Sequence, residues 1–253
     1  MQQYNSAYWD QRAKTVGHTG HSEPFYYCFD QQARIYAVAE LLSSVNTGKN
    51  QALDFGCGSG DFLPLLTAHF RHVSAIDVSP VVLRIAKQKY EKSNVRFYTQ
   101  LNELPESARP DVIVTVTVLQ SFTLTMLEAT LKTFNSVLAG GGKIILMEFF
   151  ADSDYLQKSG LTQPSREEWE HLLTKYFKII SIKNFYNPVV KPVKSWLHYK
   201  THPLLLLLKP FKKFAFAQKV FSARAKKLIH RHRDVLLNEE SPLKVYVVEK
   251  LSV

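Results

Sequence analysis

The run Leu53-Asp54-Phe55-Gly56-Cys57-Gly58-Ser59-Gly60 sets an acid two positions ahead of a Gly-x-Gly-x-Gly loop. Glycines at that spacing let backbone N–H groups approach a ligand closely. A second acid, Asp77, ends the run Val73-Ser74-Ala75-Ile76. An acid at the end of a second strand can accept hydrogen bonds from both hydroxyls of a ribose. The chemistry these residues suggest is the capture of a ribose-bearing ligand. A dinucleotide loop of the form Gly-x-Gly-x-x-Gly fits poorly, because its third glycine would fall on Asp61. A phosphate-cradling loop would need a Lys-Ser/Thr pair after the last glycine, and there is none.

Those residues need elements to hold them. Gln51-Ala52-Leu53 reads as a strand entering the loop, and Asp61 to Phe70 as a helix leaving it. Ala33 to Ser43 has helical spacing of Ile35, Val38, Ala39 and Leu42, which should pack on a sheet. Asp111 to Leu119 reads as a fully buried strand, since Val112-Ile113-Val114-Thr115-Val116 is β-branched throughout. Ser165 followed by Glu168 makes a capping box for a helix running to about Tyr176. Phe177 to Phe185 and Leu243 to Lys250 read as the last two strands. Strand and helix alternate from Gln51 to Phe150, which predicts an α/β fold with a parallel sheet covered on both faces.

The Asp54-led glycine loop, with Asp77 after it, resembles motif I of the class I S-adenosylmethionine-dependent methyltransferases. In that family the loop wraps a ligand without phosphate, so an acid there is not repelled. The resemblance continues through residues 51 to 150. Val95 to Pro105 looks like the third strand and its polar loop, with Gln100 where many members carry Asp. Asp111 to Leu119 looks like the fourth strand, and Leu138 to Glu148 like a helix end, a glycine turn and the fifth strand. The resemblance implies a Rossmann-like, seven-stranded sheet, mostly parallel with an antiparallel last strand. It also implies S-adenosylmethionine as cofactor and S-adenosylhomocysteine as product. By that likeness the cofactor contacts are Asp54, Gly56, Cys57, Gly58, Asp77, Val78, Gln100, Leu101, Thr115 and Val116.

Methyl transfer from a sulfonium is an in-line displacement, so the protein mainly positions a nucleophile. A base is required only where the acceptor must lose a proton. The candidates are His18, His21 and Glu148, the last favoured by its place at a strand end lining the crevice. Residues 1–45 are expected to form an N-terminal helical lid, with Tyr8, Trp9 and Tyr26 as substrate contacts. Packing anchors are the competing reading of these aromatics. No metal-type spacing of His or Cys occurs.

The chain has 253 residues, 45% hydrophobic and 21% charged, enough for one α/β domain with an elaboration. Its two cysteines, Cys28 and Cys57, fit a reducing, cytoplasmic compartment. The N-terminus lacks the apolar core of a signal peptide. The longest aliphatic run, Leu204 to Leu208, is far short of the about 20 residues a spanning helix needs. The net charge is +10, and residues 187–241 supply +9 of it, with 12 Lys/Arg against 3 Asp/Glu. From Pro210 onward Phe214, Phe221, Leu228 and Val235 recur every seven residues, as do Lys212, Lys219, Lys226 and Arg233 on a largely opposite face. This predicts a cationic amphipathic helix, which either packs on its own domain or makes a peripheral membrane contact through 210–236. Nothing in it resembles a nucleic-acid recognition module.

The expected organisation is therefore a lid (1–45), a core (46–186 and 242–253) and a basic helical cap (187–241). The expected function is methyl transfer to a small-molecule acceptor at O, N or C. A membrane-associated lipid or quinone acceptor is the alternative within the same chemistry. A pseudo-enzyme or interaction module is the alternative of another class.

Overall fold

A computed structural model describes residues 6–20, 22, 24–90, 94–149, 164–185, 215–231 and 243–251. Seven strands form one sheet in the order β3-β2-β1-β4-β5-β7-β6. They are β1 (Gln51–Phe55), β2 (His72–Ile76), β3 (Val95–Tyr98), β4 (Val112–Val116), β5 (Lys143–Phe149), β6 (Phe177–Asn184) and β7 (Leu243–Lys250). The first five are mutually parallel, whereas β7 runs antiparallel to both β5 and β6. The described helices are α1 (Ser6–Val16), α2 (Pro24–Ser44), α3 (Leu63–His69), α4 (Pro80–Tyr90), α5 (Leu124–Val137), α6 (Arg166–Tyr176) and α7 (Ala215–Arg231).

The central strands alternate their side chains between two cores, as the pleat requires. Ala52, Val112, Val114, Ile145 and Met147 join one buried cluster with Phe29, Ala33, Val38 and Leu41 of α2. Leu53, Ile113, Ile144 and Leu146 join the other with Leu127, Leu131 and Phe134 of α5 and Trp169, Leu172 and Leu173 of α6. Strands buried on both faces explain the unbroken β-branched run in β4.

Several boundaries differ from expectation for local reasons. α2 begins at Pro24, well before Ala33, so part of the aromatic stretch expected in the lid is helix and Phe29 is core. Proline suits a first helical turn, where its missing N–H costs nothing. β4 stops at Val116 instead of reaching Leu119, because Thr117 turns to a φ of 56°. The capping box is present: Ser165 Oγ accepts from Glu168 N–H, and Glu168 accepts from Ser165 N–H at 2.7 Å.

In the basic segment, α7 packs on α2. Ala225 and Ile229 are buried, and Cys28 Sγ lies 3.0 Å from Ser222 Oγ. Lys219 and Lys226 are exposed, as their row predicts. Phe214, Lys212, Arg233 and Val235 lie outside the described residues, as do the side chains of Phe221 and Leu228. Among the described residues no helix is long and apolar enough to cross a membrane.

Docking of α7 is testable by truncating its buried face. Ile229→Ala should cost about 2–5 kcal/mol in urea unfolding, the range for a buried aliphatic cut to alanine. Lys226→Ala, on the exposed face, should stay within about 0.5 kcal/mol. Equal, small effects would show that the helix does not pack there.

Candidate functional site

The sheet order reverses direction between β1 and β4, and ligands in open α/β sheets bind outside the strand ends at such a point. Two loops meet there. Gly56, just past β1, has φ 76°, and a Cβ on it would lie 2.2 Å from Val118 Cγ2 in the loop after β4. Only glycine fits both the backbone and the gap. Gly58, at φ 52°, faces the N-terminal segment, since its Cβ would lie 2.8 Å from Thr19 Oγ1.

Asp77 ties this loop to the next helix. Gly58 N–H donates to its Oδ2 and Ser79 N–H to its Oδ1, both at 2.9 Å. Burial raises its carboxyl above the usual range, while those two amides pull it down and the Asp10 charge raises it further. Asp54 lies deeper. Its Oδ2 is buried and accepts no hydrogen bond among the described residues. Burial, with Asp77 and Asp61 nearby, pushes its carboxyl up to about 8. Cys57 is buried beside them, its thiol raised first by burial and then by the two acids. Such a pocket favours a cation: a positive group beside Asp54 would restore the ionised form.

The remaining expected cofactor contacts lie along the same edge. Val78 follows Asp77 and is 52% exposed, offering a face on which a flat ring can rest. Gln100 is exposed and Leu101 half-buried, at the turn after β3. Val116 is half-buried at the end of β4. Thr115, by contrast, is fully buried and hydrogen-bonds Glu148 instead of facing the crevice.

Glu148 reaches the strand end proposed for a base, but its carboxylate is committed elsewhere. Oε1 accepts from Thr115 Oγ1 and Val118 N–H at 3.3 Å and from Leu119 N–H at 3.2 Å, and Oε2 accepts from Gln120 N–H at 3.2 Å. Gln120 Oε1 returns the brace by accepting from Phe149 N–H at 3.3 Å. Burial pushes the Glu148 carboxyl up to about 7, against the pull of those amides. Its geometry is that of a brace for the β4 loop.

The N-terminal segment lies on the glycine loop through contacts no sequence pattern indicates. Asp10 Oδ1 accepts from Ser79 Oγ at 2.5 Å and from Val81 N–H at 3.3 Å. Tyr27 O–H donates to Asp61 Oδ2, and its oxygen lies 3.3 Å from Ser59 Oγ. His18 stacks on Tyr27 with ring centroids 3.6 Å apart. Arg12 holds the segment's turn by donating to the carbonyls of Thr19 and Gly20. Tyr8 and Trp9 form an edge-on pair on α1, 4.9 Å between centroids. Tyr26 packs against the core below α2. His21 lies outside the described residues. Among the described residues no group of three or more His, Cys, Asp or Glu could hold a metal ion.

Comparison with known proteins agrees with this geometry. A family model described as a methyltransferase domain matches residues 29–188. A malonyl-[acyl-carrier protein] O-methyltransferase of Paenibacillus sp. (strain JDR-2) is 27% identical over 164 residues, 55% of this chain. The matched part spans 59% of that relative's length. Among solved structures, N-methyltransferase NodS from Bradyrhizobium japonicum WM9, in complex with S-adenosyl-l-homocysteine, superposes with a TM-score of 0.55 at 14% identity, covering 88% of this chain and 87% of that one. Haemonchus contortus phosphoethanolamine N-methyltransferase 2, in complex with S-adenosyl-L-methionine, gives 0.57 at 17% identity, covering 87% of this chain and 52% of that one.

The raised carboxyls set a pH dependence. A raised acid favours the protonated folded state, so its contribution to stability is full below the ordinary carboxyl range and is lost as pH climbs through the folded value. For Asp54 that window runs from 3.8 to about 8. Asp54→Asn should therefore gain on the wild type in Tm as the pH rises across it, measured by calorimetry. A gap independent of pH would show that Asp54 is not held in this way.

Proposed function

The chain belongs to the methyltransferase-domain family, and on that premise we propose that it transfers a methyl group from S-adenosylmethionine to a small-molecule acceptor. The observation that carries this reading is the pair of acids around the glycine loop. Asp77 already orders the loop and keeps lone pairs for two ribose hydroxyls, while the unpartnered oxygen of Asp54 suits the ligand's cationic end. Gly56, Cys57 and Gly58 would give close backbone approach, and Val78, Gln100 and Leu101 would flank the base. Bound there, S-adenosylmethionine supplies a methyl group activated by its sulfonium.

What the chain's own residues contribute is orientation and exclusion of water. Asp10, Thr19 and Tyr27 hold the N-terminal segment over the loop, with Tyr8 and Trp9 on the same helix as Asp10. Glu148 fixes the β4 loop at the methionine end. His18 and His21 are the candidates for accepting a proton at an imidazole nitrogen from an O–H or N–H acceptor. The division into a lid (1–45), a core (46–186 and 242–253) and a basic cap (187–241) belongs to the same proposal.

The relatives' names place their acceptors at different atoms. One is an O-methyltransferase of a malonyl group on a carrier protein, and the solved structures include N-methyltransferases. A second reading adds a peripheral membrane contact, with the acceptor a lipid or quinone. It is favoured by the exposed Lys219, Lys226 and Lys227 on α7.

Titration calorimetry with S-adenosylhomocysteine tests the cofactor. Binding should weaken by about 1–3 kcal/mol in Asp77→Ala, as for a buried partner left unpaired. Unchanged affinity would remove Asp77 from the ribose. Anionic vesicles test the membrane reading. Each basic residue near the surface contributes about 1 kcal/mol, so replacing Lys219, Lys226 and Lys227 with Gln should abolish co-sedimentation. A wild type that ignores vesicles ends that reading.

A further inference from the structure

Arg34 is a cation that the sequence did not single out. It lies on α2, with its side chain only 12% exposed. Its Nε pairs with Asp30 at 2.9 Å, one helical turn away. Its Nη1 donates to Thr117 Oγ1 at 2.9 Å, across 83 positions of sequence. Its Nη2 donates to no described residue. A guanidinium is a planar fork; Asp30 holds its charge at ion-pair distance without an aligned hydrogen bond, and the bond from Nη1 to Thr117 sets its direction.

The place of that fork matters more than the pair itself. Thr117 is the first residue past β4, beside Val118, which closes on Gly56. Thr117 is also the sole non-glycine with positive φ among the described residues, at 56°. A β-branched residue in that region is strained by about 1–3 kcal/mol and persists only where its surroundings over-determine it. Here they do: Thr117 N–H donates to Met147 O at 2.7 Å, Glu148 holds the next three amides, and Arg34 holds the hydroxyl. Strained residues of this kind cluster at ligand clamps.

Charge supplies the second argument. The crevice carries Asp61 and Asp77 on the glycine-loop side, with Asp10 behind them. An anionic ligand entering such a field would be repelled unless a cation met it. Arg34 stands at the β4 side of the same crevice. Half-buried, it is shielded from the solvent screening that weakens surface pairs, and its outer edge has the donor geometry for a two-oxygen anion.

We infer that Arg34 is a specificity residue that receives an anionic oxygen group, a carboxylate or a phosphate, on the methyl acceptor. Thr117 orients the guanidinium, and the acceptor's anionic end is held at β4 while its nucleophile faces the glycine loop. That the anion belongs to the acceptor rests on the methyl-transfer reading; the anion site itself does not.

The test uses the full chain and two probes, malonate and inorganic phosphate, titrated with and without S-adenosylhomocysteine. Wild-type protein should bind one or both. Arg34→Met should lose that binding about tenfold or more, the loss expected for a bidentate charge-assisted pair. Arg34→Lys, which keeps the charge without the fork, should fall between them and decides the matter should Arg34→Met fail to fold. S-adenosylhomocysteine affinity is the control for the loop that Arg34 braces: anion binding should fall by more than any change in it. Preference for malonate or for phosphate tells which oxyanion the site takes. Equal anion binding by wild type and the variants, or none by wild type, overturns the inference. Failure of S-adenosylhomocysteine to bind the wild type would instead overturn the methyl-transfer reading, while the anion titration without it still decides Arg34.

Discussion

One carboxylate holds the ligand end of the fold together. Asp77 directly follows β2, and its two oxygens take the amide of Gly58 from the preceding loop and the amide of Ser79 just ahead of α4. Ser79 in turn donates its hydroxyl to Asp10 on α1. Strand, glycine loop, helix start and N-terminal segment thus converge on one buried acid. Remove that acid and two buried amides lose their partners, each at a cost of about 1–3 kcal/mol. Gly58 would then lose its tie to β2, leaving Ile76 O, which accepts from Gly56 and Cys57 N–H, to hold the start of the loop.

Much of this was legible in the sequence because it is local. The glycine loop, the acid at the end of the second strand, the capping box at Ser165 and the span of β7 are all set by neighbours a few positions apart. They appear in the structure within a residue or two of where they were read. The sheet's mostly parallel order with an antiparallel β7 followed from the resemblance and was found. What stayed hidden is long-range. Arg34 meets Thr117, Tyr27 meets Asp61, and Asp10 meets Ser79, each across dozens of positions. No periodicity links such pairs. The strain at Thr117 was equally invisible, because a β-branched run argues for more strand, and only tertiary contacts made the chain turn there.

Glu148 shows why a position at a strand end does not fix a role. Strand geometry brought it to the crevice, yet the orphaned amides of the loop after β4 claimed its oxygens. Buried donors must be satisfied, and a carboxylate able to accept four hydrogen bonds meets that need better than any neutral side chain nearby. The same demand explains a carboxyl raised to about 7 that persists in the core. Its burial is unfavourable for the charge, and its contacts make it tolerable.

The position of β7 has a consequence for how the protein is made. β7 lies between β5 and β6, and β6 pairs with no strand except β7 among the described residues. On the ribosome, β1 to β5 can assemble in the order in which they emerge, each beside a strand already present. β6 cannot join them, because the strand that bridges it to β5 has not been synthesised. The nascent chain must therefore keep one open edge on β5 and an unpaired β6 until the segment beyond Asn184 has passed and β7 arrives. Closing so long a loop adds little to the equilibrium cost, which grows only with the logarithm of length. It does set the order of events: completion of the sheet waits on β7, with the β5 edge exposed until then.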